Sequence, residues 1–134
     1  MITPAFRTVV LDSEGLSAWV ADDRTVSSML RLARATEARI VISAATIIEV
    51  SHPRLNVPRF DYLLSGVRIE EVTAETARAA ARLLKRTGLH GHKYAIDAIV
   101  AEAALRQPGP VAMLTSDTDD MGKLCGPQVR VVAV

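Results

Sequence analysis

Residues 92–105 read HKYAIDAIVAEAAL, which predicts a helix that is apolar on nearly every side and yet carries the carboxylate of Asp97. A helix that is apolar all round is normally buried between other elements. Burying an ionised carboxylate costs several kcal/mol unless a cation or strong hydrogen bonds compensate it. We therefore predict that a metal ion balances the charge of Asp97 and that further oxygen ligands lie elsewhere in the chain.

Length, charge and cysteine content exclude several classes of protein. A chain of 134 residues fits one domain with one core, so we expect a single domain over residues 1–134. With 16 basic and 15 acidic side chains, the net charge of +1 excludes a globally basic nucleic-acid-binding protein. Cys125 is the only cysteine, which excludes an intramolecular disulfide and indicates a reducing compartment. Neither a membrane span nor a secretory signal is visible, so we expect a cytoplasmic protein with no membrane partner.

Short β-branched runs alternate with helical patterns along the chain. The predicted strands cover residues 7–11, 39–43, 67–72, 110–115 and 129–134. One predicted helix starts at residue 25, and the others cover residues 44–50, 57–64, 73–87, 92–105 and 117–124. Residues 12–15 are predicted to begin a loop or a helix. This alternation predicts a three-layer α/β domain, in which helices flank a central, mainly parallel sheet of four to five strands. The run at 67–72 is predicted to lie at a sheet edge.

The helix predicted over residues 73–87 has the clearest boundaries, because Thr73 is a suitable N-cap and Gly88 a suitable stop. Its predicted packing face consists of Ala77, Ala80, Ala81 and Leu84. Small side chains on that face would allow close approach to a neighbouring helix.

Four acidic side chains lie near the ends of predicted strands. Asp12 directly follows the first strand, and Glu49 follows the second by one short helix. Asp117 follows the fourth strand, and Asp97 lies near the start of the helix that leads to it. Ligands of parallel sheets bind beyond the carboxyl ends of the strands, so we expect these acids to meet there. Carboxylates without clustered His or Cys suit Mg²⁺ or Mn²⁺ better than Zn²⁺.

The residues around these acids resemble the PIN domain, and more narrowly the VapC-type toxins of bacterial toxin–antitoxin pairs. The matching motifs are Val10-Leu11-Asp12-Ser13, Ile48-Glu49-Val50, AIDAIVA at 95–101 and LTSDTDD at 114–120. The resemblance covers essentially the whole chain and includes the order of its elements. It implies a PIN-like fold and a Mg²⁺- or Mn²⁺-dependent endoribonuclease whose products carry a 5′ phosphate and a 3′ hydroxyl.

The same resemblance implies site residues and partners. The catalytic and metal-binding acids would be Asp12, Glu49, Asp97 and Asp117. Asp120 would be an auxiliary ligand, with Asp119 as the alternative. Glu14 departs from the family pattern, in which a hydroxyl or small residue is commoner, so its effect on the metal stays open. The expected partners are an RNA substrate, a small cognate antitoxin that blocks the acidic site, and a second copy in a homodimer.

A basic stretch leads to Asp97. Residues 77–96 contain no acidic side chain but carry Arg78, Arg82, Lys85, Arg86 and Lys93. We predict that Lys93, Arg82 and Arg86 bind the RNA backbone, which would make binding salt-sensitive. Alternatively, this stretch is a solvated helix face.

Hydroxyl and aromatic side chains complete the predicted site and its surroundings. Ser13 and Ser116 are predicted to hydrogen-bond phosphate or metal-bound water, or else to be turn residues. Few aromatics are present, which argues against base-stacking platforms. We expect Trp19 and Tyr62 in the core or at an interface.

Other interpretations of the acids and of the function stay open. Asp12 and Asp117 stand where helix N-caps are expected, although capping does not exclude ligation, and Glu49 fits a solvated helix residue.

A non-catalytic PIN-like module would keep the fold and bind RNA or a partner. A Mg²⁺-dependent phosphohydrolase of the haloacid dehalogenase type would need Asp-x-Asp after the first strand, where this chain has Asp12-Ser13-Glu14.

Overall fold

The fold is built on one parallel sheet, seen in a computed structural model that describes residues 5–134. Its strands are β1 (Thr8–Leu11), β2 (Arg39–Ser43), β3 (Arg68–Glu70), β4 (Val111–Thr115) and β5 (Val129–Ala133). They lie in the order β3-β2-β1-β4-β5, and all four pairings are parallel. Strand β3 lies at the edge, as predicted, but it is shorter than predicted because Glu71 and Val72 are exposed beyond the reach of β2.

Seven α-helices cover the two faces of the sheet within the described residues. They are α1 (Ser13–Val20), α2 (Arg24–Ala35), α3 (Ala44–Val50), α4 (Val57–Leu64), α5 (Ala74–Thr87), α6 (Gly91–Leu105) and α7 (Thr118–Cys125). Alternate residues of β1 point to opposite sides: Val9 and Leu11 pack with Trp19 and Phe60, whereas Val10 packs among α5, α6 and α7. The predicted three-layer α/β architecture is therefore confirmed. None of the helices described is long and apolar enough to cross a membrane.

Helix α5 begins as predicted but packs through a different face. Thr73 and Thr76 form a capping box at its start, and Gly88 ends it at a φ of 73°. Ala80 and Leu83 are buried, whereas Ala77 and Ala81 are exposed. The prediction was right for Ala80 and for Leu84, which packs against the core, and wrong for Ala77 and Ala81. Burying Leu83 together with Leu84 removes more apolar surface from water than burying two alanines, and this favours the observed orientation.

Helix α6 is packed by its alanines, as its composition predicted. Ala98, Ala101 and Ala104 are fully buried, so the helix approaches the sheet and α5 closely. The backbone leaves the helical range at Tyr94, with φ of −112° and ψ of 17°, which kinks the first turn. Asp97 follows that kink and is half-buried, so it lies closer to solvent than the apolar pattern predicted.

The carboxyl end of α6 is tied to the edge strand through Glu70. The Glu70 side chain is 8% exposed and forms salt bridges with Arg68 and Arg106. Burial alone raises the pKa of Glu70, but hydrogen bonds from Arg68, Arg106 and Gln107 outweigh it and lower the pKa to about 2. This carboxylate is therefore ionised and paired with cations at all ordinary pH values.

Candidate active site

Asp12 lies where β1 ends and α1 begins. Its backbone N–H donates to the carbonyl oxygen of Leu114 at 3.3 Å, which joins the ends of β1 and β4. Its Oδ1 accepts a hydrogen bond from the N–H of Gly15 at 3.0 Å, so Asp12 is indeed an N-cap. Burial raises the pKa of Asp12, and hydrogen bonds from the Thr115 hydroxyl and from the amides of Gly15 and Glu14 offset part of that rise.

Gly15 explains how α1 comes so close to β4. A Cβ atom on Gly15 would lie 2.8 Å from the carbonyl oxygen of Leu114 and 3.2 Å from its Cβ. Real Cβ atoms do not approach a backbone oxygen so closely, so only glycine permits this contact. This role of Gly15 was not predicted from the sequence, where the only signal was a glycine three residues after the capping Asp12.

Glu49 reaches the same edge of the sheet from α3. Ser43 ends β2 and caps α3, with its Oγ accepting from the N–H of Ala45 at 3.2 Å, so α3 follows the strand without a loop. Partial burial raises the pKa of Glu49, a hydrogen bond from the Ser13 hydroxyl offsets part of the rise, and the charges of Asp12 and Glu14 add to it. Glu49 is exposed, but it is electrostatically coupled to the first acid and is not an isolated surface residue.

The two candidate auxiliary acids differ in their surroundings. Asp117 caps α7, since its Oδ1 accepts from the N–H of Asp120 at 3.3 Å. Burial and then the hydrogen bond and charge of Asp117 raise the pKa of Asp120. Asp119 instead pairs with Lys123 at 3.2 Å, and its side chain is 82% exposed. The environment of Asp117 therefore includes Asp120, while Asp119 turns toward solvent.

Asp97 is the acid on which the others converge electrostatically. Burial raises its pKa first, and the negative charges of four further carboxylates raise it again, to about 6. In order of their effect, these carboxylates belong to Asp117, Glu49, Asp12 and Asp120. Residues from β1, α3, α6 and α7 thus share one negative region at the carboxyl edge of the sheet, which we call the acidic cluster.

The acidic cluster fits a hard divalent cation by the chemistry of its donors. All five side chains offer carboxylate oxygens, the ligands that Mg²⁺ and Mn²⁺ prefer. Within residues 5–134, no three Asp, Glu, His or Cys side chains are arranged so as to hold an ion as they stand. Ligation would therefore require rotation of these side chains, which their partial exposure at Asp97, Asp117 and Asp120 permits.

The three cations that were predicted to bind RNA lie on α5 and in the first turn of α6. Arg82 lies exposed on α5, and Lys93 places its Nζ 5.2 Å from the centre of the Tyr94 ring. Arg86 donates from Nη2 to the carbonyl oxygen of Leu124 at 3.3 Å, so it also supports the end of α7. Among the residues described, none of these three cations forms a salt bridge.

The remaining predicted residues have distinct environments. Ser116 is exposed beside Asp117, whereas the Ser13 hydroxyl is engaged with Glu49. Trp19 is buried in the core, as predicted, with Arg34 stacked 5.1 Å from its ring centre. Tyr62 is 75% exposed, so the prediction that it lies in the core was wrong. A position at an interface stays a prediction.

Comparisons with known proteins agree with this architecture. The structure of VapBC2 from Rickettsia felis, bound to a DNA fragment from its promoter, aligns with a TM-score of 0.70 and 19% identity, covering 95% of this chain and 98% of that chain. A toxin–antitoxin complex from Klebsiella pneumoniae aligns with a TM-score of 0.67 and 20% identity, covering 90% of this chain and 94% of that chain. No curated protein sequence matches. The family model of the PIN domain matches residues 9–126. The chain therefore belongs to the PIN domain family, and its fold is PIN-like.

Proposed function

We propose that this chain is a Mg²⁺- or Mn²⁺-dependent endoribonuclease and the toxin of a toxin–antitoxin pair. The observation that carries the proposal is the convergence of carboxylates from separate elements at the carboxyl edge of the sheet, where four of them add to burial in raising the pKa of Asp97 to about 6. Collecting like charges destabilises a fold, so such a cluster is typical of a functional site. Membership of the PIN domain family, whose members are generally nucleases, supports the same reaction class.

Each acid has a distinct proposed role. Asp12, Glu49, Asp97 and Asp117 would hold the cation, with Asp120 as auxiliary ligand. A bound divalent cation activates water toward phosphorus and neutralises the leaving oxygen. Asp12 is fixed by the Gly15 amide. Asp97, on which the charges of the other four carboxylates converge, would be the central ligand.

The substrate proposal rests on the charges of α5 and of the kinked start of α6. Arg82 and Lys93 would contact phosphates without breaking a salt bridge, whereas Arg86 would have to release the carbonyl of Leu124. Ser116, exposed next to Asp117, would donate to the scissile phosphate. The products would carry a 5′ phosphate and a 3′ hydroxyl.

Two protein partners are also proposed. An antitoxin partner is supported by the two structural neighbours, which are a VapBC2 assembly and a toxin–antitoxin complex. We also propose a homodimer, for which light scattering would report about twice the 14.4 kDa protomer mass.

The test of the nuclease is cleavage of labelled RNA by purified protein. Mg²⁺ or Mn²⁺ should support cleavage and EDTA should stop it. Asp97→Asn should lower the rate about a hundredfold or more, because it removes the proposed central ligand of the cation. Asp61→Asn on α4 is the matched control, since Asp61 is exposed and outside the cluster. Cleavage that survives EDTA or Asp97→Asn would contradict the proposal, and RNA binding without cleavage under either metal would favour a non-catalytic module.

A further inference from the structure

We propose that the outer edge of β5 is the surface through which two copies of this chain form a homodimer, by antiparallel pairing of β5 with β5 of the second copy. The inference rests on the homodimer of the proposed function and assigns an interface to it. None of the acids of the acidic cluster takes part in this contact.

Strand β5 has an open edge. It lies at one end of the sheet, and among residues 5–134 its single neighbouring strand is β4. The N–H of Val134 donates to the carbonyl oxygen of Thr115 in β4 at 3.0 Å. Because successive N–H groups of a strand point to opposite sides, those of Arg130 and Val132 also point toward β4. The backbone N–H and carbonyl groups that point outward therefore belong to Val129, Val131 and Ala133.

The two edges of the sheet differ in how they are protected against pairing. Strand β3, at the other edge, has three residues, and Arg68 and Glu70 among them are charged. Proteins commonly keep edge strands short or charged so that they do not pair with other chains. Strand β5 instead has five residues, no proline, and Arg130 as its single charged side chain. Of the two edges, β5 is therefore the one suited to pairing.

The open edge of β5 is complementary to itself. In an antiparallel pair with a twofold axis at Val131, this residue would face its own counterpart, and Val129 would face Ala133 of the second copy. Residues that face each other in this way exchange both of their N–H···O hydrogen bonds. Every outward N–H group of β5 would then have an acceptor. A twofold axis lets the same surface serve both copies, as in most homodimers.

The charge and the apolar surface of β5 also fit a second copy. Arg130 would face Val132 of the second copy, so the register avoids the destabilising contact of two like charges. Val132 pairs with Leu114 and lines with it an apolar groove of about 450 Å³ beside α2. The second Val132 would extend this apolar surface. The joined sheet would end in β3 on both sides, which is the protected edge.

The test compares Val131→Pro, which removes an outward N–H, with Val131→Thr, which keeps the N–H and the β-branched shape. The proline leaves the hydrogen bonds to β4 in place, because the N–H of Val131 does not point toward β4. Sedimentation over a concentration series should give about twice the 14.4 kDa protomer mass for the wild type and for Val131→Thr. Val131→Pro should raise the Kd of the dimer about thirtyfold or more, because both central hydrogen bonds are lost.

A second variant and a second measurement guard against a failure to fold. Ala133→Pro also removes an outward N–H, at the last residue of β5, and it replaces Val131→Pro if circular dichroism shows that variant to be unfolded. In the wild type, hydrogen exchange at the amides of Val131 and Ala133 should slow as the protein concentration rises through the Kd of the dimer. Exchange at these amides that does not depend on concentration would overturn the interface even if neither proline variant folds.

The outcomes separate this inference from the proposed function. If a folded proline variant dimerises as well as the wild type, the β5 interface is overturned and the homodimer must use another surface. If Val131→Thr dissociates as readily as Val131→Pro, side-chain packing holds the copies together and strand pairing is overturned. If the wild type is monomeric throughout, the homodimer and this interface fail together, and the open edge would fit a strand from another protein. RNA cleavage tests the nuclease independently of all three results.

Discussion

Replacing Gly15 with alanine tests whether the close approach of α1 to β4 builds the acidic cluster. Helix propensity alone predicts that Gly15→Ala raises the free energy of unfolding by up to about 1 kcal/mol. The structure predicts the opposite, because the new methyl group would meet the Leu114 carbonyl oxygen at 2.8 Å. A backbone oxygen in a central strand cannot move aside as a flexible side chain can, and overpacking of this kind costs about 1–3 kcal/mol.

The expected net effect of Gly15→Ala is a loss of about 1–2 kcal/mol, since the clash exceeds the gain in propensity. For a domain of this size, each kcal/mol corresponds to roughly 3–5 °C in Tm. RNA cleavage should fall further than stability does, because α1 carries the Gly15 amide that holds Asp12. Small displacements of a catalytic group can cost one to two orders of magnitude in rate.

Gly122→Ala is the matched control within α7. A Cβ atom on Gly122 would meet no atom within 4 Å, so the same substitution should raise the free energy of unfolding by up to about 1 kcal/mol. Chemical denaturation of both variants, alongside cleavage assays at a temperature where both are folded, gives the comparison. If Gly15→Ala were stabilised as much as Gly122→Ala and cleaved RNA at the normal rate, the close approach would not be what fixes Asp12.

Three further predictions follow from the charges. In EDTA at neutral pH, Asp97→Asn should raise the free energy of unfolding by on the order of 1–2 kcal/mol after allowance for solvent screening. Because the folded-state pKa of about 6 exceeds the ordinary 3.8, this gain should disappear as the pH falls below 3.8. A difference in thermal denaturation that does not depend on pH would contradict this prediction. Glu70→Gln should destabilise the fold by on the order of 3 kcal/mol at neutral pH. In the wild type, the same contribution should be present above pH 4.5 and lost as the pH falls toward 2, which urea denaturation measures against Glu71→Gln as an exposed neighbour. Arg82→Glu should weaken RNA binding and reduce the slope of log affinity against log salt by about one, whereas an equal effect of Arg24→Glu on α2 would show that only net charge matters.

The architecture was predictable because each element carries its own pattern. The β-branched runs before Asp12 and Glu49 identified β1 and β2, and the apolar helix around Asp97 identified the middle of α6. Because the strands are parallel, the residues that follow them lie at one edge of the sheet. The common location of Asp12, Glu49 and Asp117 could therefore be predicted before any contact between them was known. The orientation of α5 was predicted only in part, since the adjacent leucines Leu83 and Leu84 both pack against the core and the pattern identified only one of them.

The choice between Asp119 and Asp120 required the direction of each side chain. Neighbouring residues of a helix point about 100° apart, so only one of them can face Asp117. A signal was present, because Asp119 and Lys123 are four residues apart on α7 and pair there at 3.2 Å. Gly15 had no comparable signal. Its role depends on a contact between α1 and Leu114 of β4, which is distant in the chain.

Two kinds of carboxylate in this fold differ in the charge of their donors. Glu70 is bound by two arginines, which cancel its charge and lower its pKa. Asp12 instead accepts a hydrogen bond from the Gly15 amide, a neutral group that fixes its position but leaves its charge in place. Within residues 5–134, no Lys or Arg forms a salt bridge with Asp12, Glu49, Asp97 or Asp117. An arginine at that edge would stabilise the fold, but it would also compete with any metal ion for the same oxygens. A neutral donor therefore suits the proposed cation site, because the charge of Asp12 stays available there.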